Sequence, residues 1–392
     1  MSQILGLHHV TAIASDPQRN VDFYAGLLGL RLVKRTVNFD DPHSYHLYYG
    51  DEIGRPGSLL TFFPWPGARR GRLGTGQVAV TAFSIAPGSI GFWVERLLHH
   101  QVEFEPPAKR GHGADAERVI AFRDHDGLLV ELVGHAAAES RPAWADAPGI
   151  PALHAVRGLH AVTLWVDAAE PTEQVLVGTL GFRPLHEEGT TRRYGVGDGG
   201  PGALVDVRAV GGFGLGADGA GTVHHVAFAV TDDVAQLAVR KRAAGARLSP
   251  TPVIDRNYFH SVYFREPGGV LFEIATNAPG FAIDEPVERL GERLMLPSEY
   301  EPLRQEIEGV LPPIHLPTSS VPPLPDETAL ADVTGDTTGD TTGDTTGDAT
   351  GDATRRFAHR YIPPAIDDGS PTERLAAWQT IPASWRSVAA LS

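Results

Sequence analysis

The feature that most constrains this chain is a unit that recurs. An apolar run suited to a strand leads into a stretch with helical spacing, and three further apolar runs follow. Gly6-Leu7-His8-His9-Val10-Thr11 is echoed by Gly158-Leu159-His160-Ala161-Val162-Thr163. Leu28-Gly29-Leu30-Arg31 is echoed by Leu180-Gly181-Phe182-Arg183, and Asp126-Gly127-Leu128-Leu129-Val130-Glu131 by Gly268-Gly269-Val270-Leu271-Phe272-Glu273. A period of roughly 55 to 75 residues is too long for a solenoid and suits a small α+β module. Each module has one apolar sheet face that it cannot bury alone, so modules must pair.

In the first unit, Leu7 to Ile13 reads as a strand that ends at the turn or cap signal Ser15-Asp16-Pro17. Val21, Phe23, Tyr24, Leu27 and Leu28 then recur at helical spacing up to Gly29. Strands are predicted over Leu30–Val37, His46–Tyr49 and Ser58–Phe63. The second unit has a strand at Val78–Ile85, a helix at Ser89–His100, and strands at Phe104, Val119–Phe122 and Leu128–Val133. The third runs through Leu159–Val166, a helical Pro171–Leu180, Phe182–His186, Thr191–Tyr194 and Ala203–Val207. The fourth spans Val223–Thr276, with a helix at Val234–Ala244 stopped by Gly245. The expected fold class is therefore α+β: four βαβββ modules forming two paired-module half-barrels. The expected domains are residues 1–140 and 150–316, each a pair of modules, the second carrying a helical extension around Val287–Leu294 and Pro302–Val310.

From Pro317 the composition changes. Residues 333–354 repeat a Thr-Gly-Asp-x unit with almost no apolar content, so 317–354 is expected to be a disordered acidic linker. Eight acidic and no basic residues lie between Ser320 and Ala353, about half of the formal charge of −15. The spacing of that repeat does not match calcium-binding β-helices. Residues 355–392 regain aromatics but are too short for a domain, and no Gly-x-Ser-x-Gly elbow follows to support hydrolase chemistry.

The acidic balance argues against nucleic acid or an anionic membrane as partner. No apolar run approaches the roughly 18 residues of a membrane span, and no signal peptide is recognisable, so a cytoplasmic location is expected. A homo-oligomer is compatible with the sequence. With no cysteine in the chain, thiolate, disulfide and iron–sulfur chemistry are excluded, and any metal must be held by His, Asp, Glu or backbone oxygens.

Strand alternation sorts the candidates. Leu7, His9, Thr11 and Ile13 share one face, Val223, His225 and Ala227 another, and Leu271, Glu273 and Ala275 a third. A carboxylate between Phe272 and Ile274 needs a partner, because an unpaired buried charge is costly. A divalent ion with one Glu and nearby imidazoles is the most economical one, and two His plus one carboxylate is the donor set of non-haem Fe(II) oxygenases. Spacing does not choose between His9 and His160 as the third ligand. Glu131 holds the position equivalent to Glu273, but its unit opens with Val78-Ala79-Val80-Thr81, offers no His, and is expected to leave Glu131 vestigial or salt-bridged.

Four βαβββ units with strand-borne His and Glu resemble the vicinal oxygen chelate superfamily, which includes glyoxalase I, fosfomycin-resistance proteins and extradiol dioxygenases. Leu7-His8-His9-Val10-Thr11, the run Arg31 to Asp40, Tyr45 to Gly57, His224-His225, Arg256-Asn257-Tyr258-Phe259, Tyr263 and the Glu273 strand are similar to the ring-cleaving dioxygenases that open hydroquinones. The similarity spans Leu5 to Pro312. It implies Fe(II), with Mn(II) as a substitute, on His9, His225 and Glu273, and a small aromatic substrate with O2 as partners. It favours His9 over His160. It also implies catalytic roles for His224, Arg256 and Tyr263, with His8, Thr11 and Tyr258 near the substrate. Simple alternation puts His8 and His224 on the face away from the ligands, so a bulge or twist must bring them round, or they are structural. If His9 is the ligand, the first and fourth units must be neighbours. The alternatives are a glyoxalase-like metal-dependent isomerase or thiol transferase, and a non-catalytic binder of planar aromatic compounds.

Overall fold

The computed structural model describes residues 3–111 and 116–317, so the expectations for the Thr-Gly-Asp segment and the C-terminal tail lie outside the described residues. Module one comprises β1 (Gly6–Ala14), α1 (Pro17–Val21), β2 (Arg31–Asn38), β3 (Asp41–Gly50) and β4 (Leu59–Pro64). Module two has β5 (Gln77–Ile85), α2 (Ile90–His99), β6 (Ala108–Arg110), β7 (Glu117–Arg123) and β8 (Leu129–Gly134). Module three has β9 (Leu159–Val166), α3 (Ala169–Gln174), β10 (Arg183–Glu188), β11 (Thr191–Gly195) and β12 (Leu204–Ala209). Module four has β13 (Val223–Val230), α4 (Asp233–Gly245), β14 (Ile254–Asp255), β15 (Phe259–Arg265) and β16 (Leu271–Pro279).

Local chemistry starts and stops these elements. Asp16 accepts from the Arg19 amide with Pro17 in the first turn, and Asp232 accepts from the Ala235 amide at the start of α4, each satisfying an amide that the helix leaves orphaned. The helical run of module one is not regular throughout. After Val21 it widens into a π-helical turn, Asp22–Leu27, and module three repeats this at Val175–Leu180. Short β6 was not anticipated, and Phe104 makes only an isolated bridge to Phe122.

The strands form two eight-stranded sheets, in the orders β14-β15-β16-β13-β1-β4-β3-β2 and β10-β11-β12-β9-β5-β8-β7-β6. Module one therefore shares a sheet with module four, and module two with module three. The division expected near residue 140 does not separate the sheets, because each is assembled across it. The reason lies in the edges: β1 and β13 pair antiparallel, as do β5 and β9. Of the three inter-module junctions, the two that cross between the sheets, 65–76 and 210–222, pair with each other at Arg70↔Ala220, Arg72↔Ala217 and Thr75↔Leu215. One apolar cluster runs through both sheets, including Val10, Phe83, Val162 and Phe228. Arg96 on α2 stitches the modules further by donating to the carbonyls of Gly26, Leu27 and Gly149.

The extension differs from expectation at its start. Val287–Arg289 is a single 3-10 turn rather than a helix reaching Leu294, whereas Arg304–Val310 is helical (α5). The cause is close packing on β2. Gly291 has φ +79°, and a Cβ there would sit 1.8 Å from the Leu32 carbonyl oxygen, so the chain passes in a conformation that glycine alone tolerates. Leu294 then bridges to Arg35.

Candidate metal centre

Three neighbouring strands bring the candidates together. In the β1–β13 ladder His9 stands opposite Ala227, and in the β13–β16 ladder Ala227 stands opposite Glu273. Thr11 faces His225. Side chains two residues apart on one strand share a face, so His9, His225 and Glu273 converge. His9 Nε2 lies 3.2 Å from His225 Nε2 and 3.2 Å from Glu273 Oε2, and His225 Nε2 lies 2.9 Å from Glu273 Oε2. All three residues are buried.

The first His of each pair is reached through a bulge. The ladder skips His8 between Leu7↔Phe228 and His9↔Ala227, and skips His224 between Thr11↔His225 and Ala12↔Val223. An unpaired extra residue re-aims its side chain, which resolves the alternation problem. His8 Nδ1 is 2.9 Å from His9 Nδ1, and His224 Nδ1 is 2.7 Å from His225 Nδ1. Burial, then the charge of His9, pushes His8 down to about 3, so it is neutral and can accept. A proton on His9 Nδ1 donated to His8, and one on His225 Nδ1 donated to His224, leaves both Nε2 atoms as lone pairs aimed at one point.

The donor set fits a divalent ion. Glu273 Oε1 accepts from Ser261 Oγ at 2.5 Å, but Oε2 is buried with no hydrogen-bond donor; its close neighbours at 2.9 and 3.2 Å are the two imidazole nitrogens. Metal–ligand bonds of about 2.1 Å at right angles put ligand atoms about 3 Å apart, which the three separations match. Burial works to raise the Glu273 carboxyl, but the neighbouring His9 and His225 imidazoles outweigh it and hold it well below the usual range.

The second sheet is an internal control. Ala227↔Glu273 is matched by Ala82↔Glu131, His9↔Ala227 by Ala161↔Ala82, and Thr11↔His225 by Thr163↔Val80. Ala161 and Val80 thus replace the imidazoles, and only the carboxylate is kept. Glu131 is paired by Arg110 at 2.9 Å, as the sequence suggested. His160 corresponds to His8, not His9: it is the residue the ladder skips between Ala82↔Ala161 and Phe83↔Leu159. It is bonded to Glu117 at 2.7 Å in the other sheet, so it does not join His225 and Glu273.

Around the triad, Tyr263 stands opposite Glu273 and its ring meets His225 edge-on at 5.7 Å. The Arg256 guanidinium lies 5.6 Å from the Tyr263 ring and pairs with Asp40 at 3.1 Å. Thr11 is buried, with its hydroxyl on that of Thr61 at 2.8 Å. Tyr258 is also buried, but its hydroxyl donates to Asp284 at 2.8 Å. Three residues had no role assigned from the sequence: His46, Phe63 and Phe259. His46 is held by Thr61 at Nε2 and by the Tyr48 hydroxyl at Nδ1, with its ring against Phe63 at 4.4 Å. Phe259 packs on both His8 and His9, at 5.0 and 5.2 Å. His46 and Phe259 lie in stretches that carry the resemblance, but cross-strand register is what brings all three beside the histidines.

Comparison with known proteins agrees with this architecture. Residues 6–132 match the model of the Glyoxalase/Bleomycin resistance protein/Dioxygenase superfamily. MhqO of Bacillus subtilis (strain 168), assigned by name to the ring-cleaving dioxygenases, is 45% identical over 310 residues, covering 79% of this chain and 96% of that protein. The chlorohydroquinone/hydroquinone 1,2-dioxygenase of Sphingobium indicum is 33% identical over 317 residues, covering 78% and 95%. A Bacillus subtilis crystal structure assigned as a dioxygenase superposes with TM-score 0.74 at 43% identity, covering 81% of this chain and 99% of that one. Glyoxalase I from Zea mays, at 17% identity and TM-score 0.50 over 69% of this chain and 92% of that one, shares the fold.

Proposed function

The chain belongs to the Glyoxalase/Bleomycin resistance protein/Dioxygenase superfamily, among its ring-cleaving dioxygenases, and we propose that it is an Fe(II)-dependent enzyme that opens a hydroquinone-type ring with O2. The observation that carries the reading is the convergence of His9, His225 and Glu273 with no protein donor on Glu273 Oε2. The named activity of the Sphingobium relative supplies the substrate class and suggests cleavage between a hydroxylated ring carbon and its neighbour. Bound there, a ferrous ion supplies open coordination positions and the redox chemistry that joins an electron-rich phenolate to dioxygen.

The chain's own residues would do the rest. Arg256 neutralises a phenolate oxygen, and Tyr263, whose hydroxyl burial and then Glu273 hold protonated, donates a hydrogen bond. His224 is only partly buried, and with Nδ1 accepting from His225 its Nε2–H donates a hydrogen bond to the substrate's oxygen. His8 and His224 fix the tautomers of the ligand imidazoles, while Thr11 packs beside the ligands. Phe63 and His46 wall the ring and limit water.

The deciding experiment is anaerobic reconstitution with Fe(II) followed by oxygen uptake with hydroquinone and chlorohydroquinone. Uptake of one O2 per ring, with both atoms of labelled oxygen in the ring-opened acid, is expected. Reconstituted iron with no uptake for any hydroquinone or catechol would exclude the reading; turnover of a thiol adduct without oxygen would point instead to an isomerase. His8→Ala is expected to weaken iron binding by about 10- to 100-fold, measured by competition with a chelator, while His46→Ala leaves iron affinity within about two-fold, since it touches neither ligand ring.

A further inference from the structure

We propose that Asp284, held by Lys34, is a remote positioning residue that fixes Arg256 and Phe259 at the metal centre through Tyr258. Tyr258 then acts as a strut rather than a substrate contact. The inference takes from the proposed function only the idea that Arg256 faces a phenolate.

The segment Arg256–Phe259 is short and strained. Asn257 has φ +65°, the left-handed region that costs a non-glycine residue free energy and persists where surroundings enforce it. The Arg256 amide donates to Phe259 O at 2.9 Å and the Tyr258 amide to Arg256 O at 2.7 Å, so the turn moves as one piece. At its two ends stand the guanidinium over Tyr263 and the phenyl ring against His8 and His9.

Tyr258 anchors that turn from its middle. Its hydroxyl donates to Asp284 Oδ2 at 2.8 Å, its carbonyl accepts from Gly280 at 2.9 Å, and its ring packs on Phe281 at 5.0 Å. The other oxygen of Asp284 is held by Lys34 Nζ at 2.6 Å, and Glu285 Oε2 holds the same ammonium at 2.5 Å. Lys34 has no solvent exposure, and Nζ sits 5.0 Å from the centre of the Tyr258 ring. A fully buried lysine is costly unless paired, and here both its partners and the aromatic ring belong to the parts that brace the turn. The extension after Gly280 therefore does more than cover β2: it locks the geometry of the site. A shift of about 1 Å in a substrate-positioning group costs on the order of 10²-fold in efficiency.

The test uses the full chain loaded with Mn(II) under nitrogen, so that no turnover occurs. Asp284→Ala is expected to speed amide exchange at Arg256 and Tyr258 by ten-fold or more and to weaken 4-nitrophenolate binding about as much as Arg256→Ala does. In the Arg256→Ala background Asp284→Ala should add little to the loss of phenolate binding, because Arg256 is the group of the turn that faces the phenolate. Asp284→Asn, which still pairs with both partners, should restore most of the affinity. Tyr258→Phe, which removes a single oxygen, should reproduce the loss if Asp284→Ala does not fold. Unchanged exchange at the turn, or additive losses with Arg256→Ala, would overturn the proposal. If the native protein binds no phenolate, the proposed function falls, and the exchange measurement alone decides the strut.

Discussion

His9→Ala abolishes iron retention and oxygen uptake together, and His160→Ala leaves both intact. The contrast follows from the register. His9 Nε2 is within 3.2 Å of both other ligand atoms, so its loss removes one of three donors and leaves Glu273 facing a single imidazole. Iron affinity should fall by about 10³-fold or more, equivalent to about 4 kcal/mol, and protein desalted after anaerobic reconstitution should carry no stoichiometric iron. His160 lies in the other sheet, where its Nε2 is 2.7 Å from Glu117 Oε1 and Arg193 approaches that same oxygen at 2.9 Å. Its replacement disturbs that ion network and lowers thermal stability without touching the metal. Iron counting by mass spectrometry beside an oxygen electrode separates the two. Full iron and full uptake in His9→Ala would sink the proposed ligand set.

Much of this was written in the chain. Repeated strand–helix–strand units gave four modules, Asp16-Pro17 and Gly245 marked helix ends, and the lone carboxylate of an apolar strand pointed to a metal. What the chain could not show was partnership between distant strands. His9 and His160 sit in similar hexapeptides whose alignment sets Ala161, not His160, against His9, and the cross-strand register agrees. Bulges are equally silent, because a skipped residue leaves no compositional trace; His8 and His224 looked misdirected until the ladder was seen to step over them. The proposed metal centre requires modules one and four to adjoin, and the strand order places them in one sheet. The extension misled for another reason: Val287–Leu294 has helical spacing, but packing on β2 at Gly291 overrides local preference.

Acid should unfold this protein steeply, and the buried histidines outside the proposed ligand set are sufficient to make it so. Burial, then the charges of His9 and His225, holds His46 well below its ordinary value. Burial, then the neighbouring His160, lowers His135 to about 4. For His160, burial outweighs the raising effect of Glu117 and leaves it lowered as well. A histidine whose folded value is depressed stabilises the fold fully above its unfolded value, near 6.5, and that stability drains away as pH falls toward the folded value. Between about pH 6 and pH 5 the unfolded chain therefore binds more protons than the native protein, up to one for each of the three, a slope of up to about 4 kcal/mol per pH unit. Glu117, whose carboxyl is depressed by His160 and the two arginines despite burial, keeps the same sign below that range, where the unfolded carboxylate takes up a proton first. Urea midpoints measured at half-unit steps from pH 7 to pH 5 on metal-free protein should fall accordingly, with no comparable change between pH 7 and pH 8. His135→Gln together with His160→Gln should flatten the slope by nearly two protons. A flat profile down to pH 5 would show that these imidazoles are already charged in the native state, and would remove the case for buried, neutral histidines in both sheets.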